Sequence, residues 1–244
     1  MTLAYKLVGN AMQMAVCQLA ESQTVYCEPG KFLWKTTNVA VETRLTRPVG
    51  SSGGFLQKAM DVGKRTLAGE GLAFQYYTAH GGSGLVSFAG VLPGEMRALE
   101  LDGHRGWYAE KDAFVAAEAS VNFDIAFSGS REGVHGGEGF LLERFTGLGT
   151  VLIAGAGNFI ELNPAKYGGK IEVDTGCVVA FEDTVTYGVE QVGQLSVKNA
   201  MTAMLGGEGL NLATLEGDGL VILQSMTIEG LAKALAKNTG RRKE

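Results

Sequence analysis

The sequence predicts a mainly β protein built from three tandem β modules packed as a β-sandwich or prism, followed by a short C-terminal helix. Three observations predict it. A phrase of Gly-Glu-Gly, an apolar stretch, then Gly-x-Gly and a valine recurs along the chain. Inside each copy the hydrophobic period is two, which sends alternate side chains to opposite faces of a strand. Glycine reaches 36 of 244 residues, where average usage would give about 17. Without a collagen-like period, such an excess marks tight turns with positive φ between short strands.

The phrase appears as Gly69-Glu70-Gly71 with Gly82, Gly84 and Val86, as Gly137-Glu138-Gly139 with Gly147, Gly149 and Val151, and as Gly207-Glu208-Gly209 with Gly217, Gly219 and Val221. The second and third copies are offset by 70 residues and share 8 identical positions of 18 from Gly136 to Ile153. A repeat of this length is normally one supersecondary unit that buries its apolar face against its copies. Each copy also has a front half. Val25 to Val41 aligns with Ile171 to Tyr187, placing Gly30 on Gly176 and Val39 on Val185, while Trp107 to Phe123 forms a looser middle version. The modules therefore span 1–92, with a Gly-rich basic insertion at 47–68, then 93–157 and 158–230, and together form one expected structural unit.

Between Leu210-x-Leu212 and Val221-x-Leu223, Gly217-Asp218-Gly219 predicts a hairpin, since Asp and Gly accept the left-handed φ of hairpin turns. Gly147-Leu148-Gly149 and Gly82-Ser83-Gly84 are its expected equivalents. From Thr227 to Lys237 the pattern changes: Ile228, Leu231 and Leu235 follow a helical spacing and Glu229 precedes Lys233 by four residues. This predicts a helix and basic tail over 227–244.

No residue pattern assigns a reaction. A net charge of -5 argues against nucleic acid as a partner, which selects for a basic surface. Cys17, Cys27 and Cys177 are too widely spaced for a zinc site or a disulfide framework, and read as buried thiols in a reducing compartment. With no stretch approaching the ~20 apolar residues of a membrane-spanning helix, the expected location is the cytoplasm. His80, His104 and His135 lack the His-x-His spacing of a metal-binding cupin, and no metal or cofactor is expected. Val151 to Gly157 imitates a dinucleotide-binding strand, but Ile160 stands where a third small residue is needed, and the run aligns with the return strand of the third module.

The candidate binding residues are Glu70, Glu138 and Glu208, one per module. Around a pseudo-threefold axis they would converge to bind a cation or share protons. The favoured alternative is that each accepts backbone hydrogen bonds at a strand entry. Arg44, Arg47, Lys58, Lys64 and Arg65 surround the insertion and read as a contact for a membrane surface or a protein partner. A helical lid over a sheet end, or a contact between subunits, explains the same segment.

Taken in order, Tyr5 to Leu19 with Gly9 and Met12-Gln13, the Leu67 to Leu72 segment, Gly137 to Val151, Val173-Asp174-x-Gly176-x-x-Val179-Ala180-Phe181 and Gly217-x-Gly219-x-Val221-x-x-Gln224-Ser225 resemble the mitochondrial biogenesis family, named for altered inheritance of mitochondria. The resemblance spans essentially the whole chain. It implies a β-sandwich grouped with the tryptophan RNA-binding attenuation protein, an oligomeric bacterial regulator. It also implies a family whose bacterial members have no established activity and whose fungal member supports the mitochondrial inner membrane. No site residues come with it, and fold alone does not transfer RNA binding. The expectation is thus a non-enzymatic, self-associating scaffold or binding protein with peripheral membrane contact. The alternative is a small-molecule or ion-binding protein or enzyme with a site between modules.

Overall fold

Alternating apolar residues build the strands. In β2 (Met14–Leu19), Ala15, Cys17 and Leu19 are buried while their neighbours are not, the mark of a sheet with one face on the core. The computed structural model describes residues 2–44, 73–127, 141–192 and 210–238. The first stretch of chain contributes β1 (Ala4–Val8), β2, β3 (Thr24–Cys27), β4 (Phe32–Lys35), β5 (Val39–Arg44), β6 (Phe74–Ala79) and β7 (Gly84–Ala89). A second supplies β8 (Met96–Asp102), β9 (Trp107–Glu110), β10 (Phe114–Glu118), β11 (Val121–Phe127) and the long β12 (Leu141–Ala154). The third holds β13 (Phe159–Leu162), β14 (Lys170–Asp174), β15 (Val178–Glu182), β16 (Val185–Val192), β17 (Leu210–Gly217) and β18 (Val221–Gln224). The chain is mainly β, and its last described element is the helix α1 (Ile228–Asn238), where a Glu229–Lys233 ion pair of 3.2 Å forms as the spacing predicts.

One pairing pattern occurs in all three stretches. β7 lies between β2 and β4 while β6 lies between β3 and β5. The second half of β12 lies between β8 and β10, and its first half between β9 and β11. β18 lies between β13 and β15, and β17 between β14 and β16. Two further ladders join the stretches: β10 pairs with β3, Ala116 opposite Cys27, and β15 pairs with β9, Ala180 opposite Ala109. Each such ladder completes a composite six-stranded sheet across a junction, β8-β12-β10-β3-β6-β5 and β13-β18-β15-β9-β12-β11. The remaining strands form β1-β2-β7-β4 and β14-β17-β16, which are not joined to one another among the described residues.

The expected hairpins are corrected. β6 does not pair with β7, nor β17 with β18, and the two halves of β12 pair with strands of different sheets. The Gly-x-Gly phrase is a corner where the chain leaves one sheet for another. Gly147 and Gly149, at φ +100° and +142°, turn β12 without interrupting it, in a region that side chains rarely adopt. A Cβ on Gly84, Gly149 or Gly219 would press on Val39, Val121 or Val185 respectively. The residue after each of these glycines donates its N–H to a side-chain oxygen: Leu85 to Thr36 at 3.0 Å, Thr150 to Glu118 at 2.8 Å and Leu220 to Glu182 at 2.7 Å. The dinucleotide lookalike likewise ends β12 and pairs with β8 and β10.

Aromatic side chains fill the largest core. Phe114 packs against Tyr26, Phe123 and Phe145 with ring centroids 5.1–6.0 Å apart, all four being fully buried. Ring contacts at these separations add to the stabilisation from the area they bury. Smaller apolar clusters surround Val86 and Phe88 on one side, and Phe181 and Leu215 on the other.

Candidate functional site

Glu28 directly follows β3, Glu110 ends β9, and the equivalent position, the last of β14, is Asp174. Antiparallel pairing of β9 with β12 sets Glu143 opposite Ala109, one residue from Glu110. The ladder of β10 on β3 brings Glu28 to the same corner, and Glu143 and Glu28 share a hydrogen bond. Lys31 crosses from the first stretch to the second, where its Nζ donates to the Asp112 carbonyl at 3.1 Å. Its side chain is buried, as is that of Glu143, which is 3% exposed and has an Oε2 without a partner.

Burial and mutual repulsion dominate the electrostatics. Loss of hydration raises the Glu143 carboxyl well above its ordinary range; the charges of Glu28 and Glu110 push the same way, and Lys31 opposes them. Burial raises the Glu28 carboxyl as well, against the charge of Lys31 and the contact with Glu143. Glu110 is raised to about 7, first by burial, then by Asp112, against the Asp112 N–H and the charges of Lys111 and Lys31. Burial also raises the Cys17 and Cys27 thiols to about 12, which makes them poor nucleophiles.

A cavity of about 290 Å³ opens beside this corner, and all three stretches of chain line it. Lys31 comes from the first, Glu110 and Ala154 from the second, Val178, Gln224 and Ile228 from the third. An adjoining hollow of about 250 Å³ shares Glu110, Val178, Gln224 and Ile228 and adds Asp174 and Glu229. Gln224 is fixed, accepting from the Ala156 N–H and donating to the Gly176 carbonyl, each at 2.8 Å. Apolar side chains line most of the first hollow, together with Lys31, Glu110 and Asp112.

Glu70, Glu138 and Glu208 lie outside the described residues, as do Arg47, Lys58, Lys64 and Arg65. Arg44 is placed at the end of β5, 2.7 Å from Glu42 and with its guanidinium over the Tyr76 ring. His80 and His104 occupy turns, their backbone N–H groups bonded to the Asn38 carbonyl and the Asp102 carboxylate; His135 is outside the described residues. Among the described residues no group of three His, Cys, Asp or Glu is arranged to hold a metal ion. The sequence reading missed Glu28, Glu110 and Glu143. The first two were visible as an acid repeated at one position of each front half, whereas Glu143 has no counterpart, because Ala213 and Gln75 stand in its place.

Fold and site together define a protein of composite β-sheets with a hollow where its three stretches meet. The chain belongs to the family described as Mitochondrial biogenesis AIM24, whose model matches residues 5–226. It is similar to the crystal structure of a Streptococcus pyogenes protein at a TM-score of 0.70 and 24% identity, over 97% of this chain and 99% of that one. That likeness is one of fold. No curated protein matches the chain.

Proposed function

We propose that the chain is a non-enzymatic, self-associating binding scaffold in which β4 of one copy pairs with β14 of the next. One observation carries this reading. Phe114, Val115 and Ala116 in β10, and Val178, Val179 and Ala180 in β15, are at most 2% exposed, whereas Phe32, Leu33 and Trp34 at the same places in β4 are 37%, 48% and 40% exposed. β10 and β15 are each covered by a neighbour's strand; among the described residues β4 pairs only with β7. An apolar edge of this kind is a template for strand addition. β14 offers the complementary edge, since the equivalent strands β3 and β9 receive β10 and β15 while β14, among the described residues, pairs only with β17. Such head-to-tail contacts are heterologous and build a ring or a filament.

Native mass spectrometry and light scattering of the purified chain at roughly micromolar concentration test the reading. The expected result is a species several times the 25.7 kDa of one chain, reduced to single copies by Trp34→Lys without loss of β circular dichroism. A strict monomer at that concentration would sink it.

Peripheral contact with a membrane surface, through Arg44 and the basic residues Arg47, Lys58, Lys64 and Arg65, is part of the same proposal, as is a cytoplasmic location. Basic density supports the first, and three free cysteines support the second. No described helix is long and apolar enough to cross a membrane. Flotation with anionic vesicles tests the contact, and recovery independent of salt and of lipid charge would remove it. A small-molecule site between the three stretches is the second reading, favoured by the cavity they share.

A further inference from the structure

We infer that the contact between copies carries a polar pair supplied by both: the Gln75 amide of one copy donates to the Asp174 carboxylate of the next, so the edge selects a second copy of this chain over an unrelated extended strand. The inference rests on the pairing of β4 with β14 proposed above and adds the side chains that make it selective. Main-chain pairing gives a strand-addition contact its affinity, and side chains give it its choice of partner.

The junction inside the chain is the template. There β3 covers β10, and Phe114 of β10 packs on Phe145 of β12 at 5.1 Å. Two residues before Phe145, the Glu143 side chain shares a hydrogen bond with Glu28, the residue that follows β3. The same arrangement stands half built around β4. Phe32 packs on Tyr77 of β6 at 5.2 Å, and two residues before Tyr77 comes Gln75. Gln75 lies opposite Cys27 as Glu143 lies opposite Ala109, and Cys27 and Ala109 each immediately precede an acid. A strand laid on β4 as β3 lies on β10 therefore carries the acid at its end to Gln75, and in β14 that acid is Asp174. Where β15 meets β9 the corresponding place is held by Ala213, opposite Val173, whose side chain offers Glu110 no polar atom.

Exposure follows the same order. Glu28 and Glu110, each beside a covered edge, are half-buried, whereas Asp174 is exposed. Lys31 and Ala113, just before β4 and β10, are each 5% exposed, while Cys177 at the same place before β15 is only half-buried. The third turn is thus open where the first two are closed by the turn that follows them. The polar groups also fit. Gln75 is half-buried, and its Oε1 accepts from the Tyr77 hydroxyl at 3.0 Å, which leaves its two amide N–H groups to donate. Asp174 accepts the Gly176 N–H through Oδ1 at 2.8 Å, which leaves Oδ2 for Gln75. Hydrogen bonds to an ionised carboxylate are among the stronger ones. A lone extended peptide on β14 brings no facing β6, so it satisfies the main chain and leaves Asp174 without this donor.

Sedimentation of the full chain across a concentration series, at pH 5 and pH 8, tests the inference. Gln75→Glu sets carboxylate against carboxylate, with Tyr77, Thr43 and Cys27 as its neighbours on β6, β5 and β3. Relative to the wild type at the same pH, it is expected to weaken association by about tenfold or more at pH 8 and by less than about threefold at pH 5, where one of the two facing carboxyls takes up a proton and donates. Adding Asp174→Asn exchanges amide and carboxylate and keeps an acceptor for Gly176. The double exchange is expected to return association at pH 8 to within about threefold of the wild type. Trp34→Lys, which blocks the edge itself, reports on strand pairing separately. If Trp34→Lys yields single copies and Gln75→Glu associates like the wild type at pH 8, the strands pair without these side chains, and the inference falls while the pairing stands. If the wild type is a strict monomer, the pairing falls and the polar pair with it. Weakening that is equal at both pH values and untouched by the double exchange also overturns the inference, because Gln75 and Asp174 then do not meet. A synthetic peptide of residues 31–36 is expected to leave the assembly intact at equal molar concentration. Dissolution by that peptide would show an edge open to any strand and overturns the selectivity.

Discussion

β4 and β10 differ little in local character and greatly in their surroundings. Each opens on phenylalanine, each pairs on one side with the strand that follows its Gly-x-Gly corner, and each is followed by a valine at the start of the next strand, Val39 or Val121. Yet Phe114 is fully buried among Tyr26, Phe123 and Phe145, while Phe32 stacks on Tyr77 at 5.2 Å and stays 37% exposed. The difference lies in the second neighbour. β3 covers the free edge of β10, and nothing among the described residues covers that of β4. Burial here is a property of the junction between stretches of chain, and the strand's own sequence does not decide it.

The largest effect that can sharpen this comparison comes from truncating the same position in both strands. Phe114→Ala is expected to cost about 3–5 kcal/mol, the usual range for a large side chain deleted from a packed aromatic core. Phe32→Ala is expected to cost about 1–2 kcal/mol in a monomeric chain, since more than a third of the side chain is exposed. Urea unfolding at low concentration measures both. Equal losses would mean that β4 is already covered and that the contrast between the two edges is false.

A middle-sized effect separates the two junctions. Where β10 meets β3, the corner holds Glu28, Lys31, Glu110 and Glu143; where β15 meets β9, the places of Lys31 and Glu143 are taken by Ala113 and Ala213. Glu110 titrates at about 7 in the folded chain against 4.5 for the free carboxyl. The unfolded chain therefore gives up this proton first. Folding carries no penalty from Glu110 below 4.5, a growing one between 4.5 and 7, and a constant one above. Glu28 and Glu143 are raised in the same direction. The melting temperature of the wild type is expected to fall between pH 5 and pH 8, and Glu110→Gln should reduce that fall, being relatively more stable at pH 8 than at pH 5. A fall of the same size in the variant would show that Glu110 is not raised.

Much of the fold was legible because strand periodicity and the C-terminal helix are local. Ala15, Cys17 and Leu19 alternate in β2 as the sequence alternates, and Glu229 finds Lys233 one turn on. The corners were not legible. Gly217-Asp218-Gly219 between two apolar runs has the chemistry of a hairpin, and only the partners of β17 and β18, which lie elsewhere along the chain, decide that the two strands belong to different sheets. The site was half legible. Glu28, Glu110 and Asp174 recur at one position, but Glu143 looks like a solvated strand residue until β3 of another stretch closes over it. Its burial is long-range, and a single-sequence pattern does not carry that information.

The smallest effect tests the register of the uncovered edge. Ala117 lies opposite Tyr26 in one junction ladder and Phe181 opposite Tyr108 in the other. Carried over to the equivalent positions, this sets Trp34 against Val173 and Lys35 against Glu172 in an assembly of two copies. The second pair has opposite charges, and directly opposed charges on neighbouring strands contribute roughly 0.2–1 kcal/mol. Lys35→Glu alone is therefore expected to weaken association by a few-fold, and Glu172→Lys alone by a similar factor. The double exchange should restore most of the loss. None of the three should shift unfolding of a dilute monomer by more than a few tenths of a kcal/mol, because both side chains are solvated there. Sedimentation across a concentration series reads all four proteins. If each single exchange weakens association and the double exchange fails to recover it, the two residues do not face each other, and β4 and β14 meet in another register or not at all.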